Sequence, residues 1–179
     1  MPSYRRNVIP GATYFFTVTL ANRNGALLTT HIDLLRDAFR YTRERHPFDI
    51  DAIVVLPEHL HTIWTLPANE ADYATRWRLI KSHFSRNLPP AETLNASRSG
   101  KGERGIWQRR YWEHTIRDEA DYAQHVDYIH FNPVKHRHAQ RVAEWEHSSF
   151  HRYVKRGILP GDWGGDMRVE GGKFGEWGE

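Results

Sequence analysis

The stretch Leu56-Pro57-Glu58-His59-Leu60-His61-Thr62-Ile63-Trp64-Thr65-Leu66 leaves the chain few options. In a β-strand side chains alternate between faces, so His59 and His61 point one way while Leu60, Trp64 and Leu66 point the other. One face then needs a core. The opposite face carries two imidazoles near enough to reach a single metal ion, and imidazole is the commonest protein metal ligand. Taken alone, the pair reads as two polar residues on a solvated face, because two ligands do not make a site. Whatever completes it comes from elsewhere in the chain.

The surrounding sequence supplies a frame for this strand. Tyr14, Phe16, Val18 and Leu20 alternate with Phe15, Thr17, Thr19 and Ala21, which predicts a first strand. Thr30 with Asp33 resembles a helix-opening cap, and Leu35, Ala38, Phe39 and Thr42 recur at helical spacing as far as His46-Pro47. Asp49 to Leu56 reads as a second strand, separated from the His-x-His strand only by Pro57-Glu58, as in a tight hairpin. Asn69 with Asp72 can cap a second helix with Tyr73, Trp77, Ile80, Phe84 and Leu88 on one stripe; Arg76, Lys81 and Arg86 fall outside it. Residues 89–105 read as a mobile loop, Ile106 to Ile116 as a fourth strand, and Asp118 with Asp121 as the cap of a third helix ending near Asn132. Short helical segments follow near Trp145 and through Phe150 and Tyr153. The predicted fold is α+β: a ferredoxin-like β-α-β-β-α-β palm, a four-stranded antiparallel sheet with two helices on one face, plus an additional helix and C-terminal helical segments. One domain over residues 1–160 and a Gly-rich tail over 161–179 are expected.

Projected at 100° per residue, the third helix has Tyr122, Val126, Ile129 and Pro133 on its core stripe. Tyr128 falls on the polar side with Asp121, Gln124, His125 and Asn132, and Asn132 is one turn beyond it. A tyrosine turned from the core beside an amide oxygen is a candidate nucleophile with a candidate third metal ligand. The same pattern also fits a tyrosine that covers a sheet edge and an Asn that ends a helix before proline.

The absence of cysteine excludes disulfides, thiolate chemistry and cysteine-held metal clusters, so any metal is held by His, carboxylate or amide oxygen. No apolar run approaches membrane-spanning length, and a cytoplasmic protein is expected. A net charge of +3 suits a nucleic-acid partner and an ordinary globular protein alike, so charge does not discriminate. The 12 His, 7 Trp and 8 Tyr exceed what a core requires and favour metal binding or base stacking.

Pro57-Glu58-His59-Leu60-His61 followed by Tyr128-Ile129-His130-Phe131-Asn132-Pro133-Val134-Lys135-His136 resembles the single-tyrosine HUH transposases, and within them the REP-associated tyrosine transposases. Further blocks fit the same family: Tyr4-Arg5-Arg6, Lys81-Ser82-His83-Phe84-Ser85, Ile106-Trp107-Gln108-Arg109-Arg110-Tyr111-Trp112-Glu113-His114 and Trp145-Glu146-His147-Ser148-Ser149-Phe150. The ordered set is far more specific than His-x-His alone. The resemblance implies a metal-dependent enzyme that nicks and rejoins single-stranded DNA beside hairpin-forming REP-like palindromes. It makes His59, His61 and Asn132 ligands of one divalent ion, Mg²⁺ or Mn²⁺, and Tyr128 the nucleophile of a 5′-phosphotyrosine intermediate. Asn132 stands where insertion-sequence relatives use Gln, with His125 or a water as the alternative ligand. A nucleoid-associated monomer or homodimer is implied.

Arg5, Arg6, Lys81, Arg86, Arg109 and Arg110 are candidates for phosphate contact, and Trp107 or Trp112 for stacking on an unpaired base. Each is equally a surface charge or a core aromatic. Two other functions stay open: a binder of structured DNA or RNA without chemistry, and a His-metal hydrolase with a small substrate and a deep pocket.

Overall fold

The computed structural model describes residues 7–89 and 105–164. Arg5, Arg6, the loop residues before Gly105 and the tail beyond Gly164 lie outside the described residues. Four strands, β1 (Thr13–Thr19), β2 (Asp49–Val55), β3 (His59–Thr65) and β4 (Trp112–Thr115), form one sheet in the order β2-β3-β1-β4. All three pairings are antiparallel. The helices are α1 (Leu27–Thr30), α2 (Ile32–Arg45), α3 (Tyr73–Asn87), α4 (Glu119–Lys135) and α5 (Phe150–Lys155), with a 3₁₀ turn at Val142–Glu144. With β1 and β3 central, this is the expected ferredoxin-like arrangement.

The alternation in β3 sorts its side chains as expected. Leu60, Trp64 and Leu66 join Leu35, Ala38 and Phe39 of α2 and Trp77, Ile80 and Phe84 of α3 in one core, where Trp64 stacks on Trp77 at 4.2 Å. Each such side chain contributes about 1.5–3 kcal/mol by leaving water. The other face forms a second core. There Phe15, Ala52, Val54 and Ile63 meet Val126, Tyr128 and Ile129 of α4 and Tyr153 of α5.

Three boundaries differ from expectation. Thr30 closes the short helix α1 instead of capping α2, whose N-cap His31 makes no side-chain cap bond. The pairing expected over residues 106–116 comes in two pieces: Trp107 bridges Leu20, and the regular ladder starts only at Trp112. The third helix runs through Pro133 to Lys135. Proline deletes one donor so near the helix end, and the last turn survives because His136 N–H donates to Asn132 O at 3.0 Å. Two predicted caps are present: Asp72 accepts from Thr75 N–H and Asp118 from Asp121 N–H, both at 2.8 Å. Arg76, outside the apolar stripe of α3, is 1% exposed, paired with Glu70 and donating to Pro47 O at 2.7 Å. It ties α3 to the start of β2.

The outer edge of β2 is covered by residues 145–153. Val55 N–H donates to His147 O at 2.9 Å, and Trp145 Nε1 donates to Val55 O at 3.0 Å. Ser149 Oγ accepts from Ile53 N–H and bonds His130 Nε2, each at 2.9 Å. Burial pushes His130 down to about 4, with Arg152 and His151 adding to the effect, so the imidazole that joins α4 to this segment is neutral. Covering the edge removes a template for pairing with other chains.

Candidate active site

The register of β1 and β3 sets His61 opposite Thr17 and His59 opposite Thr19, on the face that α4 covers. Both imidazoles are buried, at 2% and 0% exposure, with ring centroids 4.9 Å apart. Each is held through Nδ1. Glu58 Oε1 lies 3.0 Å from His59 Nδ1, and Thr17 Oγ1 lies 2.8 Å from His61 Nδ1. A carboxylate partner requires His59 Nδ1 to carry the proton, which leaves the lone pair on Nε2. That Nε2 is buried with no hydrogen-bond partner among the described residues. A buried, oriented and unpartnered imidazole nitrogen is what a metal ligand needs, so these residues fit a divalent ion. Burial works to raise Glu58, but hydrogen bonds, the one from His59 foremost, outweigh it, and the carboxyl is held below its ordinary range.

Tyr128 meets this pair. Its ring stands edge-on to His61 with centroids 5.2 Å apart, and Phe15 lies 6.2 Å away. The projection that put Tyr128 on a polar, outward side is corrected here: Tyr128 is 2% exposed, and Asp121, His125 and Asn132 on the same stripe are buried with it. Gln124 of the same group is exposed, and the rest of the stripe is polar because it faces imidazoles. Lys135, two turns beyond, donates from Nζ to Tyr128 Oη at 3.2 Å, with its ammonium 4.9 Å from the ring centroid. Asn132, one turn beyond, is fully buried. His136 brings a further imidazole 5.3 Å from His59.

Several of these residues escaped the sequence. Glu58 adjoins His59 but has no role until the hairpin turns it back, and Thr17 becomes visible only through register. Lys135 shares a helix face with Tyr128 at i+7, yet a helix stopped at Asn132 hides it. A second polar group on the same sheet face, His114, Asp121 and His125, could also hold a metal ion.

Of the proposed DNA contacts, Lys81, Arg86, Trp107 and Arg109 line one groove of about 630 Å³ beside α3, together with Arg78 and Tyr111. Lys81 donates to Gln108 O at 3.0 Å, and its ammonium sits 5.1 Å from the Tyr111 ring. Trp107 is 8% exposed and packs edge-on against Phe84 at 5.4 Å, so the core takes most of its ring. Arg109 and Arg110 are exposed. A larger groove, about 860 Å³, lies between α2, β2 and residues 146–152.

No protein-family model matches the chain. It is 48% identical over 167 residues to the REP-associated tyrosine transposase of Escherichia coli, covering 93% of each chain. A Haemophilus influenzae protein carrying the same family name is 46% identical over 174 residues, covering 96% of this chain and 99% of the relative. Among solved structures, a REP-associated tyrosine transposase bound to a REP hairpin superposes with a TM-score of 0.85 at 47% identity, covering 98% of both chains. No helix among the described residues is long and apolar enough to cross a membrane.

Proposed function

Because the chain belongs to the REP-associated tyrosine transposase family, we propose that it nicks and rejoins single-stranded DNA beside hairpin-forming repetitive palindromes through a covalent 5′-phosphotyrosine. The observation that carries this reading is the packing of Tyr128 against His61, with His59 alongside and His59 Nε2 buried without a hydrogen-bond partner among the described residues. In this reading Tyr128 Oη attacks phosphorus in line, its bond to phosphorus forms as the bond to the 3′ oxygen breaks, and the phenol proton leaves while the 3′ oxygen gains one. The phosphodiester bond energy stays in the tyrosine ester, so a second 3′-hydroxyl can reverse the step on another strand without ATP.

His59, His61 and Asn132 are the ligands in this proposal. A divalent ion held there, Mg²⁺ or Mn²⁺, supplies charge neutralisation on the phosphate oxygens. Glu58 and Thr17 fix the two imidazole orientations, and Lys135 stabilises negative charge as it develops on Tyr128 Oη. The covered face excludes water from the phenol. Reaction with a phosphodiester requires that cover to open when DNA engages, since Tyr128 is 2% exposed. Lys81, Arg86, Arg109 and Arg110, with Arg5 and Arg6, are assigned to phosphate, and Trp107 to an unpaired base. Action on the chromosome places the protein in the cytoplasm with the nucleoid.

The alternative, a hairpin binder without chemistry, draws on that same burial of Tyr128. One experiment separates the two. The protein is incubated with Mn²⁺ and a labelled single-stranded REP-type hairpin, and a denaturant-resistant protein–DNA species is sought on a gel. A covalent species that vanishes in Tyr128→Phe is expected. Hairpin binding without any adduct, or an adduct undiminished in Tyr128→Phe, overturns the enzymatic reading.

A further inference from the structure

The sheet face that carries His59 and His61 holds a second set of metal-ligating side chains at its β4 side. The register of β1 and β4 sets His114 opposite Phe15, and the first turns of α4 bring Asp121 and His125 over it at i and i+4. One ligand atom from each of the three lies within 4.8 Å of the other two. We infer that His114, Asp121 and His125 form a second cation site, suited to a transition ion such as Zn²⁺ or Co²⁺, that fastens the start of α4 to β4 one turn before Tyr128. This inference does not rest on the DNA chemistry.

The donor set selects the class of ion. Two imidazoles and a carboxylate favour borderline transition metals over Mg²⁺ or Ca²⁺, which seek oxygen ligands. The geometry is close to what such an ion imposes. His114 Nε2 lies 2.8 Å from Asp121 Oδ2, and His125 Nδ1, which also donates to the Asp121 main-chain O at 2.7 Å, lies 3.1 Å from Asp121 Oδ1. A tetrahedral ion about 2 Å from each ligand holds its ligands roughly 3.3 Å apart, so a small spreading of the side chains admits it once His125 releases its main-chain bond to Asp121 O. The imidazole rings are already parallel, 12° apart in plane with centroids 4.7 Å apart, and Phe15 packs on His125 at 4.7 Å. Asp121 and His125 are each 6% exposed, which keeps competing water out. The His114 side chain is 29% exposed and opens a route from solvent. Arg117 Nε also reaches Asp121 Oδ2, at 3.2 Å, but its side chain is 75% exposed and can withdraw into water when an ion takes the carboxylate. Three protein ligands leave a fourth position for water.

Co²⁺ is the probe, added to the EDTA-treated full-length chain and followed by equilibrium dialysis and by its visible absorption. The double variant His59→Ala/His61→Ala removes the other imidazole pair. That variant is expected to keep about one equivalent of tightly bound Co²⁺, and addition of His114→Ala or His125→Ala to weaken the remaining uptake at least tenfold. His114→Gln, which retains a hydrogen-bonding side chain beside Asp121, serves as the folded control, with circular dichroism on every variant; it is expected to lose the ion too. The inference is overturned if the double variant takes up no Co²⁺, or if its uptake is indifferent to His114→Gln and His125→Ala. Failure of the Tyr128 site reads differently: the wild-type chain then binds one equivalent that survives His59→Ala/His61→Ala.

Discussion

Tyr128 Oη accepts a hydrogen bond from an ammonium, and that contact carries a kinetic consequence. A hydrogen bond to a charged group is worth about 1.5–3 kcal/mol, so Lys135→Ala should slow formation of the covalent DNA adduct by roughly 10- to 150-fold. Hairpin affinity, measured by gel shift, should stay within about twofold, and Lys135→Arg should restore part of the rate. A loss confined to affinity would place Lys135 on the DNA backbone instead. Thr17 makes the parallel case for the proposed ligand set. Thr17→Val keeps the shape but removes the hydroxyl that holds His61 Nδ1, and loss of such an orienting partner weakens metal binding by about 10- to 100-fold. Mn²⁺ titration of the variant against wild type reads that shift directly. Strand period alone put His59 and His61 on one face of β3, whereas Thr17 and Lys135 had no signal until register and helix length were known.

At the scale of elements, α4 shows why a helical projection can misassign a face. Its Asp121, His125, Tyr128, Asn132 stripe reads as solvent-facing by polarity, yet it is buried because the sheet beneath presents His59, His61 and His114. Polar residues can face polar residues in a core when each finds a partner. Burial works to raise Asp121, but hydrogen bonds from His114 and Arg117 outweigh it and hold the carboxyl at about 2. Helix α3 offers a simpler test of local reading. Asp72 is held below its ordinary value of 3.8 by hydrogen bonds from Thr75, the backbone N–H foremost, with burial opposing. Its folded-state pKa is depressed, so its contribution is fully present above the unfolded value and is lost as pH falls through the folded one. Asp72→Ala should therefore cost about 1 kcal/mol in urea unfolding at neutral pH. The difference from wild type should shrink below pH 4, and a gap that persisted in acid would show that the cap is not what the variant loses.

Across the whole molecule, one sheet serves two cores with different tasks. The helix-covered core built on Trp64 and Trp77 sustains the fold, and Trp77→Ala should cost about 3–5 kcal/mol in urea unfolding, since the side chain is fully buried among rings that cannot close the gap. A loss under 1 kcal/mol would contradict that packing. That cost is a large part of the total stability of a domain this size. The second core contains Tyr128, the proposed nucleophile. The sequence by itself determined the strand and helix order, the two-sided character of β3 and two of the helix caps, because period and capping are properties of neighbours along the chain. Only the tertiary structure decided that Tyr128 is buried against His61, that Lys135 reaches its hydroxyl, and that His114 joins Asp121 and His125. Those contacts join residues on different elements, or on a helix turn beyond a proline, and no local pattern in the chain specifies the register and helix placement that bring them together.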